Sequence, residues 1–261
     1  MQGSPTAFDD VLDEIKVRGF HNHRLEGHSR AMSLGILRDL RASCEPFEAD
    51  HDAGRVGRWL DFPSPGGRAR KLDLVVAERD DDTDRPDLSR LRLCIENKSV
   101  VTAHRNTTNR YDDLSDVVGV LHHRSPDAIL VATVLVGLAL NVLNVPDRVK
   151  ILVSDEDFQE LVVPRLSTGD QSLWTEFPRA ISRNRPMDAQ NTMRRFRELP
   201  TRPPGRTDMA AYDFVLLVPV LIDNVNPPQV ARQNDLGIDI DAEYREMLDR
   251  ICRAYRARWH T

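Results

Sequence analysis

The chain has 261 residues, of which 40% are hydrophobic and 30% are charged, and its net charge is −5. This length suits one large domain, and the composition is that of an ordinary globular protein. The negative charge excludes a protein that coats nucleic acid through overall positive charge, although a local basic face would suffice for binding.

Apolar spacing predicts two helices near the N-terminus, followed by two strands. The first helix runs from about residue 7 to 18, and Ser29 could cap the second. The apolar face of the second helix consists of Met32, Ile36, Leu37 and Leu40. A Gly- and Pro-rich turn precedes a strand at 71–78, and an acidic, turn-rich segment links it to a strand at 91–98.

Helices and strands alternate along the rest of the chain. A polar helix at about 103–122 precedes an apolar strand at 128–136, so a helix crosses between two strands of one sheet. Another strand follows at 213–222. The terminal helix carries an apolar stripe formed by Tyr244, Met247, Leu248, Ile251 and Tyr255. We therefore predict an α/β fold with a mixed central β-sheet flanked by helices, as a single domain over 1–261.

Cysteine spacing and hydropathy indicate the cellular setting. Cys44, Cys94 and Cys252 are far apart in sequence and form no CxxC pair, which argues against a disulfide framework and a Cys-rich zinc site. The most apolar run, 128–140, is shorter than the roughly 20 residues that span a bilayer. No signal peptide is visible at the N-terminus. We expect a soluble, cytoplasmic protein that does not enter a membrane.

Three charged side chains share one side of the two predicted strands. Alternation places Glu96 and Lys98 on the same face of the second strand, and Asp73 opposite the apolar face of the first. Two converging carboxylates repel unless a cation lies between them, and oxygen-only ligands favour Mg²⁺. A nearby ammonium can position or help deprotonate an attacking water and stabilise charge on a phosphate. The pattern therefore indicates phosphodiester hydrolysis.

This arrangement resembles the PD-(D/E)xK nuclease superfamily, which includes most type II restriction endonucleases. The matching residues are Asp73 in KLDLVV and the triplet Glu96-Asn97-Lys98 in CIENKS, followed by a helix where the family also has one. The resemblance covers roughly residues 25–136. It implies that Asp73 and Glu96 ligate Mg²⁺, that the backbone carbonyl of Asn97 completes the metal shell, and that Lys98 assists the attacking water.

The sequence departs from the family pattern at Asn97, where the family usually has an apolar residue. A polar residue there implies either that the strand is ending or that the asparagine has a hydrogen-bonding partner. The alternative to a nuclease site is a solvated ion pair at the end of an ordinary strand. Glu14-Ile15-Lys16 has the same spacing on a predicted helix, so the strand context distinguishes the two triplets.

Other residues are candidates for supporting roles near this site. The family often recruits a further acid from an early helix, and Glu26 is the candidate here. His104 and Arg105 follow Lys98 closely and are candidates for contact with the phosphate backbone.

Residues 179–206 are strongly basic, with eight arginines against two acidic residues. The eight are Arg179, Arg183, Arg185, Arg194, Arg195, Arg197, Arg202 and Arg206. Phosphate contacts supply most of the affinity of DNA-binding proteins, and arginine can also read guanine. We expect this region to face DNA, and the alternative is a solvated helix surface. The candidate DNA-binding residues are Arg183, Arg185, Arg194, Arg195 and Arg197.

The sequence thus predicts a Mg²⁺-dependent endonuclease that acts on double-stranded DNA, as a type II restriction enzyme. Cleavage of a duplex with one site per chain favours a homodimer whose two-fold axis matches a palindromic site. The chain contains no P-loop motif, so no nucleotide cofactor is expected. Two alternatives remain open: a non-specific or defence/repair nuclease of the same fold, and a DNA-binding module without catalytic activity.

Overall fold

A computed structural model describes most of the chain and shows a mixed α/β fold. The described residues are 6–17, 27–66, 70–80, 83–101, 104–143, 155–157, 160, 164–165, 172, 181–223, 226–232 and 236–260. A six-stranded mixed sheet lies at the centre with helices packed against it, and a separate sheet has two strands. The predicted α/β class with a mixed central sheet is therefore confirmed.

The main sheet combines an antiparallel meander with a parallel centre. The strands are β1 (Gly57–Pro63), β2 (Lys71–Arg79), β3 (Pro86–Val100), β4 (Ile129–Gly137), β5 (Asn141–Leu143), β6 (Ile181–Arg183), β7 (Phe214–Leu221) and β8 (Gln229–Val230). The order is β1-β2-β3-β4-β7-β8, and β5 pairs with β6. β1, β2 and β3 are antiparallel neighbours, whereas β3, β4 and β7 are parallel.

The helices fall into two groups that each pack against the sheet. They are α1 (Ala7–Val17), α2 (Gly27–Ser43), α3 (Glu45–Asp52), α4 (Thr107–Arg124), α5 (Asp188–Arg197) and α6 (Ile240–Trp259), with short turns at His104–Asn106 and Asp155–Asp157. In the first group, α2 contacts α1, α3 and α6, and α3 also contacts α6. In the second group, α4 contacts α5 and β3. The predicted crossover from β3 through α4 to β4 is confirmed.

β4 lies in the middle of the main sheet, and apart from Thr133 its side chains are apolar on both faces. All nine of its residues are buried, as expected for a parallel strand with helices on both sides. The part of the apolar run at 128–137 is thus explained by the core, whereas Leu140 at its end is exposed. Among the described residues, no helix has both the length and the apolar character required to cross a bilayer.

Several elements of the structure were not predicted from the sequence: β1, α3 and the short strands β5, β6 and β8. β1 is only partly buried, and Asp61 within it has a positive φ of 52°, so a regular alternation of apolar and polar residues is missing. α3 follows α2 after Cys44 alone, with Pro46 in its first turn, a position that proline tolerates. β3 is also longer than predicted and begins at Pro86.

The structure corrects the prediction from the cysteines. Cys44 and Cys252 form a disulfide, with Cα atoms 5.5 Å apart, whereas Cys94 is free and buried. Cys44 lies between α2 and α3, and α6, which contains Cys252, packs against both helices. The expectation of no disulfide was wrong because spacing along the chain does not report which helices meet.

Arg202 lies in a buried ionic cluster together with Asp213 and Arg258. Both guanidinium groups bind the Asp213 carboxylate, and all three side chains are at most 3% exposed. Arg202 also donates to the carbonyls of Pro126 and Ala128. The cluster thus connects the residues just before β4 with Asp213, which precedes β7, and with Arg258 at the end of α6. Arg202 therefore cannot face DNA, and the expectation for residues 179–206 is wrong at this position.

His122 is buried next to this cluster and is held in its neutral form. Its Nδ1 accepts a hydrogen bond from the backbone N–H of Ala211 at 3.2 Å. Nε2 therefore carries the proton and donates to the carbonyl of Ala128 at 3.1 Å. Burial, followed by the positive charge of Arg202, lowers the pKa of His122 to about 4.

This low pKa predicts a loss of stability in mild acid. An unfolded histidine titrates near 6.5, so between about 4 and about 6.5 the unfolded chain binds a proton that the folded chain does not. The free energy of unfolding should fall by about 3 kcal/mol across this window as pH decreases. Urea unfolding between pH 4.5 and 7 should show this component in the wild type and in His123→Gln, whose histidine is exposed. An unchanged pH dependence in His122→Gln would contradict the assignment.

Candidate active site

Asp73, Glu96 and Lys98 meet where β2 and β3 separate. The ladder between these strands ends at the pair Leu74 and Ile95, and Asp73 and Glu96 lie one residue beyond it. The backbone N–H of Asp73 donates to Glu96 Oε1 at 3.4 Å. Lys98 Nζ donates to Glu96 Oε2 at 2.9 Å. The structure thus brings together the three charged residues that the strand pattern selects.

Two donors fix the carboxylate of Asp73. The Ser29 hydroxyl donates to Oδ1 at 2.7 Å, and the backbone N–H of Asn97 donates to Oδ2 at 2.7 Å. Ser29 was expected to cap the second helix, but α2 already begins at Gly27. The expected capping role is therefore wrong, and the hydroxyl binds the carboxylate of Asp73 instead.

Asn97 has hydrogen-bonding partners on two neighbouring elements. Its Nδ2 contacts Ser33 Oγ at 2.7 Å and also the carbonyl and hydroxyl oxygens of Ser29. Its Oδ1 accepts from Thr133 Oγ1 at 2.6 Å. Of the two readings of this polar residue, the partnered one is confirmed. The other is wrong, since β3 continues to Val100. Ser33 and Thr133 were missed, although each interrupts an otherwise apolar pattern.

Burial dominates the electrostatics of the three charged groups. Glu96 is only 2% exposed, and this burial raises the pKa of its carboxyl to about 7, with Lys98 opposing and Asp73 adding to the effect. Burial likewise raises the pKa of Asp73, against the charge of Lys98 and the hydrogen bonds it accepts. For Lys98, burial lowers the pKa, but the two carboxylates raise it by more.

The donor set suits a hard divalent cation. Two carboxylates share one ammonium, so the ionised site carries a net negative charge that a further cation would offset. Within the described ranges, no cluster of three or more His, Cys, Asp or Glu side chains could hold a metal. The protein oxygens available to a cation at this site include the two carboxylates of Asp73 and Glu96 and the backbone carbonyl of Asn97, which lies between Glu96 and Lys98 in the chain. Mg²⁺ is commonly held by one or two carboxylates, with waters and substrate phosphate completing its shell.

Two further acidic residues influence the site without belonging to the motif. Asp61 lies on β1 between the pairs Leu60–Leu74 and Phe62–Leu72, which places it beside Asp73, and its charge adds to the raised pKa of Asp73. Asp113 on α4 contributes to the raised pKa of Lys98. Asp61 was missed because β1 was not predicted.

The other candidates near the motif fall in different places. Glu26 lies outside the described residues, and so does the side chain of Arg105. His104 is held within the protein, with Nδ1 2.7 Å from Thr192 Oγ1 and Nε2 3.1 Å from the carbonyl oxygen of Gly137. A contact between His104 and a phosphate would require one of these bonds to break.

The arginines of the basic stretch differ in their surroundings. Those exposed to solvent are Arg183, Arg185, Arg194 and Arg197. The guanidinium of Arg195 lies 3.7 Å from the ring centroid of Tyr111 on α4 and also binds Glu198. Arg206 pairs with Asp208, and Arg179 lies outside the described residues. Because α5 packs on α4, the helix that follows the motif, this basic surface adjoins the helix next to the site.

Removing the ammonium should destabilise the protein in the absence of metal. Lys98→Met leaves Asp73 and Glu96 without the cation they share, and breaking a buried ion pair in this way costs about 3 kcal/mol. Urea unfolding at pH 8 in EDTA should show this loss, and the double variant Glu96→Gln/Lys98→Met should recover at least half of it. Lys71→Met, at an exposed position at the start of β2, is the control. Equal unfolding midpoints for Lys98→Met and the wild type would refute the electrostatic account.

Comparison of the chain with protein-family models, with curated proteins and with solved structures finds no match. The function of the site is therefore inferred from its own side chains and their surroundings.

Proposed function

We propose that the protein is a Mg²⁺-dependent endonuclease that cleaves double-stranded DNA and has a restriction-endonuclease-like fold. One observation carries the proposal: the backbone N–H of Asp73 and the ammonium of Lys98 both donate to the carboxylate of Glu96, so the three charged residues meet at one place. They do so at the end of a strand pair that is followed by a helical crossover. A solvated ion pair does not account for this arrangement, because Glu96 is buried.

We infer a separate role for each of these residues. Asp73 and Glu96 would ligate Mg²⁺, together with the carbonyl of Asn97. A bound Mg²⁺ supplies Lewis-acid activation of the attacking water and neutralises charge on the phosphate. Lys98 remains protonated and 15% exposed, so its Nζ can orient the water and stabilise the developing negative charge. The bond from Lys98 Nζ to Glu96 keeps the ammonium next to the metal ligands.

The surroundings of the site support DNA as the substrate. α5 carries exposed arginines and packs on α4, the helix that follows the motif. Arginine contacts with phosphates would supply affinity and position the duplex without reading its sequence. We further propose a type II restriction role, with two copies of the chain around a palindromic site so that each strand meets one active site.

Cleavage of plasmid DNA tests the proposal directly. With Mg²⁺ the wild type should cut, and Asp73→Ala and Lys98→Ala should each reduce the rate by about 10²- to 10³-fold. Both variants should still bind duplex in fluorescence anisotropy without metal. Lys16→Ala is a matched control, since it alters the other Glu-x-Lys triplet of the chain, which lies on α1.

The pattern of products separates the candidate functions. Discrete bands support a restriction enzyme, whereas a smear supports a nuclease with little sequence preference. Intact DNA in both Mg²⁺ and Mn²⁺, with binding retained, overturns the enzyme and leaves a DNA-binding module.

The arginine surface makes a prediction of its own. If Arg185 and Arg194 contact phosphates, replacing either with alanine should weaken duplex binding and reduce the slope of log K against log salt by about 1. Arg206→Ala should leave the slope unchanged, because its guanidinium is paired with Asp208 at 2.6 Å. Anisotropy titrations at several salt concentrations measure the slope. Unchanged slopes in all three variants would place the DNA on another surface.

A further inference from the structure

Four polar side chains form a connected network beneath the first turn of α2. The network consists of Ser29 and Ser33 on α2, Asn97 on β3 and Thr133 on β4. Ser33 and Thr133 are at most 1% exposed. Polar groups at such depth are costly unless they are paired. The network ends at Asp73, because Ser29 Oγ contacts both Asn97 and the Asp73 carboxylate.

The orientation of the Asn97 amide is determined by a backbone carbonyl. The oxygen and nitrogen of an asparagine amide have similar shape, so their assignment depends on the partners. The carbonyl oxygen of Ser29 lies 3.1 Å from one of the two atoms. A carbonyl can only accept a hydrogen bond, so that atom is the nitrogen. The other atom is then the oxygen, which accepts from Thr133 Oγ1 at 2.6 Å.

This orientation sets the direction of the remaining hydrogen bonds. Asn97 Nδ2 has two hydrogens for three acceptors: one is directed to Ser33 Oγ at 2.7 Å, and the other is shared by the carbonyl and hydroxyl oxygens of Ser29 at 3.1 and 3.2 Å. Ser29 has a single hydroxyl hydrogen, and its oxygen is already accepting from the amide. The hydrogen is therefore directed to Asp73 Oδ1 at 2.7 Å. The bonds run one way, from Thr133 through Asn97 and Ser29 to the carboxylate.

We propose that Asn97 is a positioning residue for the metal ligand Asp73, acting through the hydroxyl of Ser29. Its side chain holds the Ser29 hydrogen on Oδ1 while its own backbone N–H holds Oδ2. Both carboxylate oxygens are thus fixed before any metal binds. An apolar residue at position 97 would fill the same space but would remove the amide donor from the Ser29 hydroxyl oxygen, leaving the Asp73 carboxylate as the hydroxyl's remaining side-chain partner among the described residues. The inference rests on the proposed function, because it assumes that Asp73 is a metal ligand.

Ser29 and Ser33 form a matched pair for testing this role. Both accept from Asn97 Nδ2, but in the described structure only Ser29 passes a hydrogen bond on to Asp73. Loss of such an outer hydrogen bond typically weakens metal binding by about 10- to 100-fold. Ser29→Ala should therefore weaken Mn²⁺ binding, measured by isothermal titration calorimetry, by about tenfold. Ser33→Ala should stay within about twofold of the wild type, even where its melting temperature falls.

Two further variants separate positioning from packing. Asn97→Asp keeps the shape but cannot donate to Ser29, so it should weaken Mn²⁺ binding at least as much as Ser29→Ala. The double variant Ser29→Ala/Asn97→Asp should bind Mn²⁺ no more weakly than the single variant with the larger loss of affinity, since both changes interrupt the same path. Ser29→Thr, which keeps the hydroxyl, should restore binding. In plasmid cleavage, the losses should be largest at limiting Mg²⁺.

Each outcome has a definite meaning. Wild-type Mn²⁺ affinity in Ser29→Ala, with a lowered melting temperature, overturns the inference and leaves a structural network. Equal losses in Ser29→Ala and Ser33→Ala overturn it as well. If Asn97→Asp does not fold, the comparison of Ser29→Ala with Ser29→Thr decides. A wild type that neither binds Mn²⁺ nor cuts DNA overturns the proposed function and this inference with it. A wild type that does both, beside an unaffected Ser29→Ala, overturns only the inference.

Discussion

The burial of the Glu96 carboxylate beside that of Asp73 is the constraint that the surroundings of the site satisfy. A buried carboxylate loses its hydration, and a second one nearby adds repulsion. Lys98 offsets part of this cost through its bond to Glu96. Asp73 is stabilised by the Ser29 hydroxyl and the Asn97 backbone. Lys98 and the Asn97 backbone belong to β3, Ser29 belongs to α2 and Asp73 belongs to β2, so these three elements must take their observed places for the site to exist.

The parts of the fold that depend on periodicity could be predicted from the sequence. β4 is buried on both faces and reads as a continuous apolar run, and the stripe of α6 reads as an amphipathic helix. β1 could not be found this way, because it is half-buried and is interrupted by Asp61 in a left-handed conformation. The same holds for the Cys44–Cys252 disulfide, which depends on how α6 packs against α2 and α3.

The candidate site shows the same division between local pattern and tertiary contact. Strand alternation was enough to place Asp73, Glu96 and Lys98 on one side, since that property depends only on the period of a strand. The partners of Asn97 could not be predicted, because Ser33 and Thr133 lie 64 and 36 residues away in the chain. Arg202 failed as a candidate for a similar reason. A run of arginines in the sequence indicates the charge of a segment, but it does not indicate which guanidinium group pairs with a buried carboxylate.

The two buried charge clusters differ in a way that separates structure from function. In the first, Arg202 and Arg258 surround one carboxylate, and most of their remaining donors bind main-chain carbonyls, among them those of Pro126, Ala128 and Asp127, although Arg258 Nε has no partner among the described residues. Most of the donors there bind acceptors that belong to the fold itself, which is typical of a structural contact. At Asp73 and Glu96 the excess is in acceptors and negative charge, and the single ammonium of Lys98 does not balance it. A site that keeps such an imbalance is suited to a hydrated cation, because each carboxylate lone pair without a donor can then bind the metal or accept a hydrogen bond from metal-bound water.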